Sequence, residues 1–304
     1  MIGPGPGSAL HRRLEALGAS RDPSWIGADP VSLVRGRSGR DDLEVAGAIA
    51  AGLAFGAVPA ILGSVRAALE PLGPRPAAGL DALSDADLRE AYAGFRHRWL
   101  GGDDLAAFLG AVRRVRGSAG SLEDAFAAGD PGGVTVEGAL TALAARLRAA
   151  DPGFGGRGAR GFFPGPDSGS ACKRPCLLLR WMARDDGVDT GAWRGPDPSR
   201  LVIPLDTHLA RITRALGLLR RRSDDWKAAL EATASLRRFD PADPVRYDFA
   251  LCHLGMRGGA LASPVTSASR ARSPARPPSR GRARRPGAPS RRSSPPRPRG
   301  TRRS

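Results

Sequence analysis

The apolar and polar positions of this chain follow helical periodicity nearly throughout, with no clear strand alternation and no internal repeat. A short helix is expected around Ser8–Leu17, followed by a loop rich in turn formers. Asp41 or Asp42 can cap a helix running to about Phe55, and a second piece runs from Pro59 to Leu72. Ser84 and Asp85 open another, extending towards Leu100, with Leu88, Tyr92 and Phe95 at helical spacing. Further helices are predicted over 102–116, 120–128 and 135–150, the last with Leu140, Leu143 and Leu147 on one face. Residues 151–170 hold seven glycines and three prolines and read as loop. Beyond them, helices are expected near 173–184, 206–219, 224–238 and 244–256. The fold class is all-α.

One stretch needs weighing against a membrane. Val45–Val65 is 21 residues without a charge, long enough to span a bilayer. It is mostly Ala and Gly, however; Pro59 interrupts it, and Asp41, Asp42 and Glu44 sit at its edge. The expectation is two buried helices meeting near Gly56–Pro59 in a soluble, cytoplasmic protein. No secretory signal pattern occurs in residues 1–20.

Charge sharpens the domain organisation. The formal net charge is +17, but residues 259–304 carry 13 Arg and no acid, leaving only +4 for residues 1–258. That terminal stretch is Pro/Ser/Arg-rich without apolar periodicity and is expected to be a disordered tail behind a helical domain of 1–258. Such a tail strengthens nucleic-acid binding by counterion release, or arises from compositional drift or a frame slip; the sequence leaves these open.

Of the 47 basic residues only Lys173 and Lys227 are lysines. Where arginine is used so uniformly, a retained lysine marks a position where a deprotonatable amine has a use. Lys173 opens a predicted helix behind Ser170, a plausible cap, with Pro175 tolerable only in the first turn. The helix dipole and partial burial would depress its pKa. On spacing alone, a lysine there reads first as a solvated surface charge. Lys227 follows Trp226 without a partner signature and reads as surface.

Downstream, Leu201–Leu218 approaches through Pro204 to a helix whose stripe is Leu205, Leu209, Ile212 and Leu216, with Asp206 or Thr207 as cap. Asp206 should stay ionised at that N-terminus, in a role that capping alone would also explain. Cys172, Cys176 and Cys252 are too few for a disulfide framework, and Cys172 and Cys176 read as buried thiols rather than metal ligands.

Together, Gly169-Ser170-Ala171-Cys172-Lys173 and Leu205-Asp206-Thr207-His208 resemble the helix-hairpin-helix DNA glycosylase superfamily of the endonuclease III type. Gly169 matches the first hairpin glycine, Ala171 replaces the second, and Lys173 matches the Schiff-base lysine. The interval of 33 residues from Lys173 to Asp206 looks more like the archaeal 8-oxoguanine glycosylase branch. As a whole, residues 10–257 are closer to a bacterial family of uncharacterised proteins thought to belong to that superfamily. The stretches carrying this are 41–58, 169–193, 201–218 and 244–257.

The resemblance implies a two-lobed helical fold and a monomeric base-excision enzyme of the nucleoid, with damaged duplex DNA as partner. A base is flipped into a cleft and the Lys173 amine attacks the sugar anomeric carbon. Asp206 stabilises the developing positive charge and helps keep Lys173 neutral, and the Schiff base permits β-elimination. Gly169, Ser170, Arg174 and His208 would contact DNA. No metal or nucleotide cofactor is called for, and with only Cys252 near the usual place no iron–sulfur cluster is expected. Arg174, Arg180 and Arg184 read either as phosphate contacts or as a solvated face, and Trp181 and Trp193 as core before base-stackers. The alternative to an enzyme is a non-catalytic helix-hairpin-helix nucleic-acid-binding protein.

Overall fold

A computed structural model of the chain describes residues 6–19 and 23–256; the expected tail, 259–304, lies outside the described residues. Helices α1 (Ala9–Ala19), α2 (Pro23–Gly27) and α3 (Ser32–Arg35) lead into α4 (Arg40–Gly52) and α5 (Val58–Leu69). Next come α6 (Pro76–Ala82), α7 (Asp85–Ala91) and a hairpin of β1 (Arg96–His97) with β2 (Leu100–Gly101). A middle group holds α8 (Gly102–Ala119), α9 (Leu122–Ala128), α10 (Glu137–Ala150) and α11 (Gly156–Phe162). The last group is α12 (Lys173–Ala183), α13 (Thr207–Ala215), α14 (Trp226–Arg237) and α15 (Asp248–Met256). The class is all-α, as the periodicity implies.

Helix α4 is the axis on which the candidate site is hung. Its residues from Glu44 to Gly52 are all buried, as expected of a helix that is apolar on every side. Small side chains let α12 pack closely against it: a Cβ on Gly47 would fall 2.9 Å from Met182 Cε and 3.1 Å from Leu178 Cδ1. The charge in this run, Glu44, is fully buried and accepts the Leu122 and Glu123 N–H groups at 3.0 and 2.9 Å, capping α9. Burial pushes its carboxyl above the ordinary value, against those two bonds and Arg116. The chain then breaks over residues 53–57, where Gly56 sits at φ +102°, before α5 begins. The uncharged stretch is thus two helices, and among the described residues no helix is long and apolar enough to cross a membrane.

Several local expectations need correction. Part of the Gly-rich stretch 151–170 is helical: Phe162 of α11 stacks on Phe108 of α8 with ring centroids 4.6 Å apart, so packing overrides the glycines. The helix opened by Ser84 stops at Ala91, where Tyr92 turns inward and its hydroxyl donates to the Ala68 carbonyl at 2.7 Å. The chain then forms the hairpin, pairing Arg96 with Gly101 and His97 with Leu100. Helix α6 was not expected; it starts at Pro76, a favoured first-turn position. Helix α13 ends at Ala215, short of residue 219, because Gly217 (φ +72°) turns the chain so that Leu218 and Leu219 both donate to the Thr213 carbonyl. Helix α15 begins at Asp248 rather than near 244.

Candidate active site

Two chain segments present the central pair. Ahead of α13, residues 201–205 are buried and extended, and the Ile203 N–H donates to Thr233 Oγ1 of α14 at 3.0 Å. That anchor delivers Asp206 in the extended conformation of an N-cap, where one carboxylate oxygen accepts from the Leu209 N–H at 2.8 Å. The other segment is the turn into α12. Gly169 (φ +73°) and Cys172 (φ +52°) are both left-handed, and the Cys172 N–H donates to Ser170 Oγ at 3.1 Å.

Ser170 therefore braces the turn, and the helix cap itself is Cys172, without a side-chain cap bond. The left-handed positions are 169 and 172, so the backbone does not demand glycine at Ala171, where the family pattern has its second one.

Lys173 is the first residue of α12 and its Nζ stands 3.0 Å from Asp206 Oδ2. The same ammonium donates to the Ala54 carbonyl, just past the C-terminal end of α4, at 3.3 Å. Both side chains are partly exposed, 30% for Lys173 and 22% for Asp206. They line a cavity of about 150 Å³ together with Ala54 and Gly56, with Ile61 and Leu177 as apolar wall and Asp29, Asp248 and Cys252 as further lining. His208 is exposed and also borders it, so of the expected DNA-contacting residues it is the one that shares the cavity. Gly169, Ser170 and Arg174 do not line it.

The electrostatics of the pair correct one expectation. Burial lowers the Lys173 pKa, but the facing Asp206 carboxylate, with Cys252 and Asp248, outweighs it, so the amine is held above its ordinary value. The helix-start dipole considered alone omits this partner and the Ala54 carbonyl, both of which favour the ammonium. Asp206 accordingly does not keep Lys173 neutral in the resting protein; it keeps it charged. Burial raises the Asp206 carboxyl, and Lys173 with the Leu209 N–H hold it net below the usual carboxylate value. Asp206 stays ionised, as its cap position implies.

The arginines that follow Lys173 are not a solvated face. Arg180 and Arg184 are 2% and 4% exposed and sit in a buried network. Arg180 bonds Asp189 Oδ1 at 3.0 Å and pairs with Asp248 of α15; Arg184 bonds Asp243 at 2.9 Å and Asp186 at 2.8 Å and also pairs with Asp189. Burial pushes Asp189 up to about 6 even between two guanidiniums. Because Arg180 lies seven residues beyond Lys173, two turns on, this network fixes α12 against α15, and Arg180 and Asp248 both reach the cavity.

Arg180→Leu leaves the buried Asp248 carboxylate without its guanidinium and Asp189 with Arg184 alone, and is expected to destabilise the fold by about 3–5 kcal/mol. Urea unfolding checks this, and a loss below about 1 kcal/mol would contradict it.

Other candidates fall where packing puts them. Trp181 and Trp193 are fully buried core residues. Cys172 and Cys176 are buried, and burial pushes the Cys172 thiol up to about 12. Arg174 places its guanidinium 4.9 Å over the Phe55 ring and donates to the Arg160 carbonyl at 3.0 Å. Lys227 is exposed. Sequence reasoning missed Asp248 and Asp29 as cavity residues. The available signal was that Arg180 and Arg184 are interleaved with Leu178, Trp181 and Met182, which a solvated helix face would not show.

Residues 29–257 match a family described as "Protein of unknown function (DUF2400)". Neither the curated proteins nor the solved structures contain a match to this chain.

Proposed function

The chain belongs to the DUF2400 family, whose description assigns no activity, and we propose from its site that it is a DNA glycosylase/AP lyase acting through a Schiff base on Lys173. One observation carries this reading: the amine and the carboxylate, 33 residues apart in sequence, meet at 3.0 Å on the wall of one cavity. The proposed fold is correspondingly the two-lobed helix-hairpin-helix glycosylase type.

The chemistry follows from that pairing. Lys173 first gives up its proton. Its Nζ then forms a bond to the sugar C1′ as the C1′–N bond breaks, and the departing base takes the electron pair and a proton. One proton passes from Nζ to O4′ as the C1′–O4′ bond opens, leaving a protonated Schiff base and a free 4′-hydroxyl. Loss of a C2′ proton then breaks the C3′–O bond and cuts the strand. Throughout, the Asp206 carboxylate faces the carbon on which positive charge develops. The base to be removed must leave the duplex stack to reach this cavity.

Single-turnover assays on duplexes each holding one lesion test the reading. Base release with strand cleavage on at least one oxidised-purine or related duplex is the expected result. Binding without either product favours the second reading, a non-catalytic nucleic-acid-binding protein. Its support is the Lys173–Asp206 ion pair, in which the resting lysine is held as an ammonium.

A further inference from the structure

The hairpin between α7 and α8 ends in the two-residue tip Arg98–Trp99. Arg98 is held at φ +54°, a left-handed conformation that disfavours a residue with a side chain. Trp99 is 39% exposed; among the described residues it and Val134 are the large apolar side chains left open to solvent. The ring lies on α11, where a Cβ on Gly161 would fall 2.6 Å from its Cη2 atom.

Behind it the Phe55 ring stands 5.7 Å away, tilted 36°, and Phe55 carries the Arg174 guanidinium over its face. His97 buttresses the arrangement edge-on to Phe55 at 4.5 Å, with Nδ1 2.8 Å from Ser64 Oγ and Nε2 3.0 Å from the Phe55 carbonyl. Burial holds His97 below its ordinary pKa.

This tip is joined to the Lys173 cavity by three consecutive residues. Ala54 binds the Lys173 ammonium, Phe55 backs Trp99, and Gly56 borders the cavity while lying against Arg98, whose Cδ would be 3.1 Å from a Cβ there.

We propose that Arg98 and Trp99, backed by Phe55 and Arg174, form a base-stacking subsite for DNA beside the Lys173 cavity. A partly exposed indole packed on Gly161 and backed by Phe55 offers aromatic surface to an unstacked base, and arginine next to it supplies the phosphate contact. Arg96, Arg98 and Arg160 are exposed around the tip, which gives the backbone a cationic track. Asp103 and Asp104 share the groove of about 430 Å³ beside Trp99, and Asp104 accepts the Gly101 N–H at 2.9 Å. Arg96 lines the same groove, so a guanidinium stands beside the two carboxylates and Trp99 there.

The proposal rests on the glycosylase reading only in taking DNA as the ligand. Fluorescence anisotropy with a labelled duplex bearing one abasic site tests it, on wild type, Trp99→Ala, Trp99→Phe and Arg98→Ala, with borohydride trapping at saturating DNA run in parallel. Trp99→Ala is expected to weaken binding about tenfold, whereas Trp99→Phe, which keeps an aromatic face, loses about threefold or less. Arg98→Ala should lower the salt dependence by about one charge.

A Trp99→Ala affinity within twofold of wild type, with wild type still binding and trapping, overturns the subsite and leaves the Lys173 reading standing. A tenfold loss in a protein that never traps supports the subsite and removes the enzyme reading. Wild type that binds no DNA ends both.

Discussion

Lys173→Arg is expected to abolish strand cleavage at an abasic site, lowering the single-turnover rate roughly 10⁴- to 10⁶-fold, on the scale seen when a catalytic nucleophile is removed. Arginine keeps the positive charge opposite Asp206, and with it the ion pair that stands at 3.0 Å. It lacks an amine that can lose its proton at any reachable pH. The substitution therefore separates charge from nucleophilicity. Affinity for abasic DNA should change by less than about tenfold, because a cation remains at the cavity wall. Equal losses in binding and cleavage would mean that Lys173 only positions the DNA.

The second large effect is on pH dependence. The resting pair holds one proton, on Lys173, and the amine can be freed in two ways. Transfer to Asp206 is uphill by the gap between ordinary lysine and carboxylate values, about 6.5 units, so only roughly one pair in 10⁶ is neutral that way. Loss to solvent at pH 7 frees roughly one amine in 10³ to 10⁴. The raised Lys173 value makes both routes rarer without reversing their order, so loss to solvent wins.

The lyase rate on an abasic duplex should thus climb about tenfold per pH unit from neutrality, levelling only near the raised Lys173 value. Asp206→Asn removes the main cause of that elevation and leaves burial, the largest single influence, to lower the amine against Cys252 and Asp248. Its profile should rise at lower pH, while its plateau falls about 10²- to 10³-fold for want of the carboxylate facing C1′. Rate measurements across pH 6–10 on both proteins check this. A wild-type profile that is flat, or an Asp206→Asn profile shifted to higher pH, would contradict it.

The same pair has an opposite signature in stability. Lys173 titrates higher in the folded chain, so its contribution is present below the unfolded value of about 10.4 and is lost as pH rises through the folded one. Asp206 titrates lower, so its contribution is present above the unfolded value of about 3.9 and is lost as pH falls through the folded one. The fold gains most from the pair across neutral pH, where the free amine is scarce. Stability and reactivity pull this site in different directions.

The elements carrying the pair were the ones most legible in the sequence. An Asp-Thr cap ahead of Leu209 and Ile212 announces α13, and the Gly169 turn followed by an apolar run announces α12, because both signals are local. What escaped was set by contacts distant in sequence. Two-residue strands leave no alternation to read, so the Arg98–Trp99 hairpin was invisible. Gly-rich α11 exists because Phe162 finds Phe108, and no propensity anticipates that. The sign of the Lys173 shift was missed because it depends on Asp206 and the Ala54 carbonyl arriving from elsewhere. Arg180 and Arg184 read as phosphate contacts or a solvated face because their aspartates lie up to 68 residues away.

The central claim is that the Lys173 amine bonds covalently to a sugar carbon. Incubating the protein with abasic-site duplex and sodium borohydride, then mapping any denaturation-resistant adduct by peptide mass, tests this most directly. A borohydride-dependent adduct on Lys173, absent from Lys173→Arg, is the expected result. No adduct, or an adduct confined to Lys227 or the N-terminal amine, would contradict it.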